Sequence, residues 1–330
     1  MADLRAALRA ALSSAIPEDR PVALLDFPNY PNVGDSAIWL GTIAALRGLG
    51  CRIAYVADQL SYSRQALERR LPPGAPVLLQ GGGSFGDLWP EHQLFRERVV
   101  RELPDNPIVQ LPVSVEFRTP AAEERARTTL DRHQHLTLLC RDRESLAYAE
   151  AQYRAPSRLC PDAAFGLNPP RRDQPGADVV VLRRSDHEGL RGVPHVAGAR
   201  VLDWSSAPGE PGYSPWWERK RLATRALTKA IGLARVEALR QAAMSRLFDS
   251  MARQRVAFGY SVVSSGRVLV TDRLHGHILA LLLGVPHVVV ETGYGKIRGF
   301  IESFSGGMNG VAYCDDGDCV ESEVRRLLGR

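Results

Sequence analysis

The first half of the chain alternates short apolar runs with stretches in which apolar residues recur at helical spacing. Pro21–Phe27 is an apolar run that ends at a cluster of turn residues, and Ser36–Gly48 carries apolar side chains every three or four positions. Strands separated by such helices favour a parallel sheet covered on both faces. Further strands are predicted at Cys51–Val56, Val77–Gln80, Ile108–Pro112 and Leu136–Cys140.

A proline-rich stretch without apolar periodicity then interrupts the pattern, and we place a linker at residues 171–177. It divides an N-terminal domain, 1–170, from a C-terminal domain, 178–330. The second half continues the pattern with strands at Asp178–Leu182, Val201–Trp204, Val268–Thr271 and Val285–Val290. The sequence therefore predicts an α/β protein of two Rossmann-like, doubly wound domains that face a cleft, with ligands at the carboxyl ends of the strands.

A basic stretch lies within the second half. From Trp217 to Arg255, ten Lys and Arg residues stand against three Asp and Glu, a surplus of +7, in a chain whose net charge is +5. We predict a basic helical insertion at about 205–257 that includes the pair Trp216 and Trp217. It either rests on an anionic membrane leaflet or is a solvated helix face that packs on its own domain. No nucleic-acid recognition motif accompanies it, so we expect no nucleic-acid partner.

Composition narrows the class of protein. The chain has 330 residues, enough for two cores, and no apolar run long enough for a signal peptide or a membrane span, which predicts a cytoplasmic protein. Its five cysteines are odd in number and scattered. We therefore expect them to be reduced and structural, and we expect no metal site.

Two segments of the first half could meet a substrate. Asn32, Gly34 and Asp35 lie between the first strand and its helix, where Gly34 allows close approach of the backbone. Asp35 either caps the helix or deprotonates a substrate hydroxyl. A second segment follows the strand at Val77–Gln80. It is either a structural tight turn or a loop whose backbone amides contact a bound anion, because its glycines carry no side chains. Its candidate residues are Gly81, Gly82, Gly83 and Asp87.

Arginines follow two other strands. Arg141 and Arg143 alternate with acids after Leu136–Cys140, as surface ion pairs or as ligands of an anion in the cleft. Arg183 and Arg184 stand where a nucleotide site would favour glycine, which indicates a small, densely charged anion. Asp162, just before the linker, is predicted to hold the domain boundary.

The segment Thr271–Gly276 is the strongest candidate for the catalytic centre. His275 lies near the predicted start of a helix, with Arg273 in the same turn and Asp272 in an orienting role. A bound anion would favour the protonated imidazole, which can then act as a general acid. Tyr294 and Lys296 follow the next strand and add to the same rim.

Six segments in this order together resemble the polysaccharide pyruvyl transferase family. They are 29–39 (NYPNVGDSAIW), 81–90 (GGGSFGDLWP), 141–145 (RDRES), 161–165 (PDAAF), 273–289 (RLHGHILALLLGVPHVV) and 294–300 (YGKIRGF). The resemblance implies a glycosyltransferase-B-like fold, phosphoenolpyruvate as co-substrate without a cofactor, and a sugar diol as acceptor. The product would be a pyruvate ketal of a cell-surface or secreted polysaccharide, made on a cytoplasmic lipid-linked or nucleotide-linked precursor.

The resemblance also implies roles for particular residues. Its Arg-x-His helix start falls on Arg273 and His275, for donor binding and catalysis, and its Gly-Asp pair on Gly34 and Asp35. The residue chemistry agrees, because phosphoenolpyruvate carries two anionic groups that arginines can hold. A glycosyltransferase that uses a nucleotide sugar, and a non-catalytic sugar-binding or scaffold protein, remain the alternatives.

Overall fold

Two parallel sheets form the framework of the protein in a computed structural model, which describes residues 1–172, 174–184, 193, 195–204, 226, 230, 237–291, 296–315 and 317–329. The strands of the first sheet are β1 (Pro21–Leu25), β2 (Arg52–Ala57), β3 (Val77–Leu79), β4 (Gly82–Gly86), β5 (Ile108–Glu116), β6 (Leu136–Cys140) and β7 (Ser157–Leu159). Those of the second are β8 (Ala177–Leu182), β9 (Arg200–Leu202), β10 (Gly266–Thr271), β11 (His287–Val290) and β12 (Val311–Cys314).

Helices connect most of these strands. They are α1 (Ala2–Ser13), α2 (Val33–Gly48), α3 (Arg64–Arg70), α4 (Pro90–Glu102), α5 (Pro120–Leu130), α6 (Arg143–Gln152), α7 (Glu237–Ser264), α8 (Leu274–Leu283), α9 (Lys296–Phe300) and α10 (Val320–Leu328). A 3-10 turn at Ala163–Gly166 and a π-helical turn at Ile301–Ser305 complete the set. No helix in the described residues is both long enough and apolar enough to cross a membrane.

Both sheets reverse their strand order at one point. The first runs β2-β1-β3-β5-β6-β7, with β4 beside β5, and the second runs β9-β8-β10-β11-β12. The order reverses between β1 and β3, and again between β8 and β10. In doubly wound sheets, the carboxyl ends of the strands at such a point are where ligands bind. The predicted α/β class and parallel sheets are confirmed, and the order is the flavodoxin-like one.

Hydrophobic contacts join the two sheets. One cluster of buried side chains includes Leu24 of β1, Val180 of β8 and Leu269 of β10. Helix α7 contributes Phe248, whose ring stacks on Phe27 with the ring centroids 4.0 Å apart. The strands on both sides of the predicted linker therefore share a continuous core.

Several local predictions need correction. Helix α2 begins at Val33 rather than Ser36, because the Asn32 side chain accepts hydrogen bonds from the N–H groups of Gly34 (2.8 Å) and Asp35 (3.3 Å). The glycine segment is not only a loop, since Gly82–Gly86 pairs with β5 as strand β4.

The second half also differs in two places. The last part of the predicted insertion, 237–257, belongs to α7 and packs against α2, whereas Trp216 and Trp217 lie outside the described residues. The cysteines are not all reduced, because Cys314 and Cys319 form a disulfide. Their Cα atoms are 6.0 Å apart, a separation that a disulfide spans.

Candidate functional site

A cavity of about 580 Å³ lies where the two points of reversed strand order, between β1 and β3 and between β8 and β10, face each other. Its walls come from the segments that follow β1, β2, β8 and β10, and from the glycine strand β4 with the start of α4. The carboxyl ends of strands from both sheets therefore meet at one cavity, as predicted.

His275 reaches across the cavity to the first half of the chain. It follows Arg273, the N-cap residue of α8, so the imidazole stands at a helix start. The ring lies against Gly34, where an added Cβ would come within 2.3 Å of Nδ1. Nε2 lies 3.5 Å from Oδ2 of Asp162. The catalytic histidine proposed from sequence is thus held between two segments of the other half.

Asp162 joins His275 to Arg141. The carboxyl is fully buried, and its Oδ2 accepts a hydrogen bond from Nη1 of Arg141 at 2.9 Å. Burial raises the pKa of Asp162, but the neighbouring His275 and Arg141 side chains and the backbone N–H of Ala164 hold it well below its usual range. Asp162 is therefore a buried anion between Arg141 and His275, a role that sequence reasoning missed when it assigned the residue to the domain boundary.

Asp35 lies at the start of α2 and lines the cavity. Its Oδ2 accepts the hydroxyl hydrogen of Tyr30 at 2.8 Å. Burial, with the charges of Asp35 and Asp26, raises the pKa of Tyr30 well above its ordinary value, so the phenol keeps its proton. Because the Asn32 side chain caps the helix, the Asp35 carboxylate is not needed to accept the N–H groups at the helix start.

A second histidine–carboxylate pair, Asp26 and His92, lies on the same side of the cavity. Asp26 follows β1 in the left-handed region, at φ 67°, and its Oδ2 is 2.7 Å from Nδ1 of His92. Burial favours the neutral ring, but the hydrogen bond and charge of Asp26, with the charge of Asp35, raise the pKa of His92. The position of Asp26 directly after a strand was the only sequence signal for this pair.

Arg273 contributes to the wall that the second half of the chain gives to the cavity. Its Nη2 lies 2.5 Å from Oδ1 of Asp203, and its guanidinium carbon lies 5.6 Å from the ring centre of Trp204. Arg184 lines the cavity, whereas Arg183 is exposed and its N–H bonds to the carbonyl of Leu202. One arginine of the predicted pair is therefore placed at the cavity and the other is not.

The remaining candidates divide in the same way. Gly83 lines the cavity beside Arg141, and Gly82 lies next to Asp35. Gly81 packs on the carbonyl of Pro112, as a structural glycine would.

Four of the other candidates lie away from the cavity or cannot be placed. Arg143 is exposed, and its N–H bonds to the Ser303 hydroxyl at 3.1 Å. Asp87 accepts hydrogen bonds from the loop at residues 118–119. Tyr294 and the side chain of Lys296 lie outside the described part of the chain. Within that part, no His, Cys, Asp and Glu side chains group as a metal site would require.

Comparisons with known proteins identify a family. The family model of the polysaccharide pyruvyl transferases matches residues 32–227 and 259–294. Pyruvyl transferase 1 of Schizosaccharomyces pombe is 33% identical over 94% of this chain and 76% of its own length. The Bacillus subtilis protein EpsO is 29% identical over 90% of this chain and 89% of its own.

A crystal structure of an uncharacterized Klebsiella pneumoniae protein shares the fold. Its TM-score is 0.61 at 15% identity, over 95% of this chain and 99% of that one. The family match covers the segments that carry Asp35, Arg141, Asp162 and His275. The chain belongs to the polysaccharide pyruvyl transferase family.

Proposed function

We propose that the protein transfers the pyruvyl group of phosphoenolpyruvate to two hydroxyls of a sugar, forming a pyruvate ketal during polysaccharide synthesis. The observation that carries the proposal is the chain of contacts from Arg141 through Asp162 to His275, opposite Asp35. It supplies a carboxylate-bound imidazole beside arginines on one side, and a second carboxylate on the other. A reaction between an anionic donor and a hydroxyl acceptor needs both.

The reaction moves two protons. One acceptor hydroxyl bonds to C2 of the donor while C3, a methylene, gains a proton and becomes a methyl group. The second hydroxyl then bonds to C2 as the bond from C2 to the phosphate oxygen breaks. The two hydroxyl protons lost by the sugar balance the proton gained at C3 and the proton carried away by phosphate.

His275 is suited to deliver a proton to C3 or to the leaving phosphate. The Asp162 carboxylate lies 3.5 Å from Nε2 and orients the ring, as carboxylates do in other histidine-dependent enzymes. Arg273, Arg184 and Arg141 are the described arginines suited to hold the carboxylate and the phosphate of the donor. Lys296 and Tyr294 remain donor-side candidates from the sequence.

Asp35 is suited to take a proton from the acceptor, because its partner Tyr30 keeps its own proton. His92, held by Asp26, lines the same wall and is suited to bind a sugar hydroxyl. We place a lipid-linked or nucleotide-linked acceptor on this side.

The protein would work at the cytoplasmic membrane face, with the basic stretch as its contact with anionic lipid. Arg246 and Arg253 of α7 are exposed and suited to that contact. Arg255 is not, because it is buried and its Nη1 donates to the carbonyl of Pro28 at 2.7 Å.

The test measures donor binding first and turnover second. Phosphoenolpyruvate should bind to the protein, and phosphate should be released only when a sugar acceptor is added. His275→Ala should lower phosphate release at least roughly 1,000-fold, a loss of the size seen when a general acid–base group is removed. The matched control is His135→Ala, an exposed histidine away from the cavity, which should leave turnover unchanged.

Two results would contradict the proposal. Full pyruvyl transfer by His275→Ala would remove the central assignment. Binding of UDP-, GDP- or CMP-sugars in place of phosphoenolpyruvate would favour a glycosyltransferase instead.

A further inference from the structure

Asp272 is a buried carboxyl on the donor side of the cavity. Only one of its two oxygens is hydrogen-bonded within the described part of the chain. It follows β10 directly and is 2% exposed. Its Oδ1 accepts the backbone N–H of Arg184 at 2.8 Å. Its Oδ2 is buried and has no hydrogen-bond partner in the described part of the chain. Since Asp272 lines the cavity, the missing partner of Oδ2 is available from a ligand.

The groups around Asp272 do not hold it as a stable anion. The loop after β8 contributes Arg184, and the loop of Asp272 itself contributes Arg273, which is bridged to Asp203. After β11, Glu291 already accepts the N–H of Arg298 at 2.9 Å. Burial outweighs the two arginine charges and raises the pKa of Asp272 to about 6.

Donor binding makes the charged form of Asp272 still less favourable. Phosphoenolpyruvate brings a phosphate and a carboxylate into a cavity that Asp35, Asp58 and Glu91 also line. A further unscreened carboxylate beside the donor would repel it, whereas a protonated carboxyl offers a hydrogen-bond donor in the same place.

We propose that Asp272 is protonated when the donor is bound, and that its Oδ2–H group donates a hydrogen bond to an anionic oxygen of phosphoenolpyruvate. This inference rests on the proposed function, because it takes phosphoenolpyruvate as the ligand. Asp272 is then a donor-binding residue rather than an anionic anchor for the arginines. The free protein, with Asp272 largely ionised above pH 7, takes up a proton as the donor binds.

The consequence is a donor affinity that depends on pH. Between about pH 6 and pH 8 the Kd of phosphoenolpyruvate should rise by up to about tenfold per pH unit, because one proton is taken up per donor bound. Asp272→Asn keeps an oxygen for the Arg184 N–H and replaces the carboxyl proton with an amide hydrogen. This variant should bind the donor at pH 8 at least about tenfold more tightly than the wild-type protein, with one proton fewer taken up.

Isothermal titration of phosphoenolpyruvate into the whole protein tests the inference. Titrations from pH 5.5 to 8.5, each in two buffers of different ionisation enthalpy, give the Kd and the number of protons taken up. Asp272→Ala, which offers no hydrogen-bond donor, should bind more weakly than Asp272→Asn at every pH. Asp178→Asn, an exposed aspartate paired with Arg267, is the matched control and should follow the wild-type curve. The titration of the donor's own phosphate is common to all four proteins.

The outcomes separate this inference from the function on which it rests. A wild-type protein that takes up no more protons on donor binding than Asp272→Asn would overturn the inference alone. So would an Asp272→Asn variant that binds more weakly than the wild type across the whole pH range, which would identify an ionised anchor. Absence of phosphoenolpyruvate binding to the wild-type protein would overturn the proposed function and the inference with it.

Discussion

Gly34 has no side chain at the place where the imidazole of His275 crosses from the other half of the chain. An added Cβ would lie 2.3 Å from Nδ1 and 2.6 Å from Cγ of the ring, closer than real contacts allow. The ring is therefore positioned by the backbone of α2 on one side and by Asp162 on the other. Sequence spacing indicates that Gly34 permits close approach, but it does not indicate what approaches.

Gly34→Ala should consequently displace the His275 ring and lower kcat by roughly 100-fold, the size of loss that a misplacement of about 1 Å produces. The Kd of phosphoenolpyruvate should change much less, since Arg273 and Arg184 lie on the other half. Steady-state kinetics with a sugar acceptor, combined with donor titration, measure the two quantities separately.

Gly48→Ala is the control on the same helix. The nearest atom to its added Cβ is Nη1 of Arg9, at 3.9 Å, so the methyl group makes an ordinary van der Waals contact and no clash. This variant should keep the wild-type kcat and stabilise α2 by about 1 kcal/mol or less. Equal kcat values for the two alanine variants would show that the ring is not positioned by Gly34.

The residues that the sequence did not reveal share one property. Asp162 and His92 act through partners that are distant in the chain, His275 and Asp26 respectively. A histidine or aspartate in a helical or turn pattern carries no sign of such a partner. By contrast, Asp35 and Arg273 lie in the segments that follow β1 and β10 up to the start of the next helix, where topology alone places them at the cavity.

At the scale of elements, α7 departs most from the prediction. Its basic residues suggested an insertion, yet Met244, Phe248, Ala252 and Val256 recur every four positions and are buried. They pack against α2 and the aromatic side chains of the first half. The surplus of basic residues reflects the exposed face of the helix. It gave no indication of the apolar stripe on the buried face. The strands were easier to predict, because buried parallel strands are short, almost continuously apolar runs.

Phe248→Ala should therefore destabilise the whole protein. The ring is fully buried, stacks on Phe27 and lies 6.2 Å, between centroids, from Trp39. Its loss should lower the free energy of unfolding by about 3–5 kcal/mol, as truncation of a buried phenylalanine usually does. Urea unfolding measures the change. Leu239→Ala, at a position 67% exposed on the same helix, should change it by less than about 0.5 kcal/mol.

At the scale of the whole molecule, a pair of buried histidines connects stability to pH. His277 Nδ1 lies 2.7 Å from Nε2 of His287, and the other ring nitrogens bond to the Ser305 hydroxyl and the carbonyl of Val285. Burial lowers the pKa of His287 to about 4 and lowers that of His277 well below its ordinary value. The folded protein therefore holds both rings neutral.

Stability should fall as the pH falls. Below the ordinary histidine pKa of 6.5 the unfolded chain binds protons that the folded protein refuses, so stability is complete above pH 6.5 and declines towards pH 4. For His287 the loss is on the order of 3 kcal/mol. Urea unfolding at a series of pH values should show this decline, and His287→Gln should make it shallower. The exposed His135→Gln should leave the slope as it is; a wild-type stability that is flat over this range would contradict the prediction.

The core shared by the two sheets has a consequence for how substrates exchange. Rotation of one half away from the other would bring apolar surface of this core into water, at about 2.5 kcal/mol for every roughly 100 Å² exposed. A wide opening would therefore compete directly with the stability of the fold. The apolar side chains of this core therefore both stabilise the fold and limit how far the cavity can open. We therefore expect donor and acceptor to enter one after the other through the existing opening of the cavity. A hinge motion at the linker should not be needed for them to reach His275.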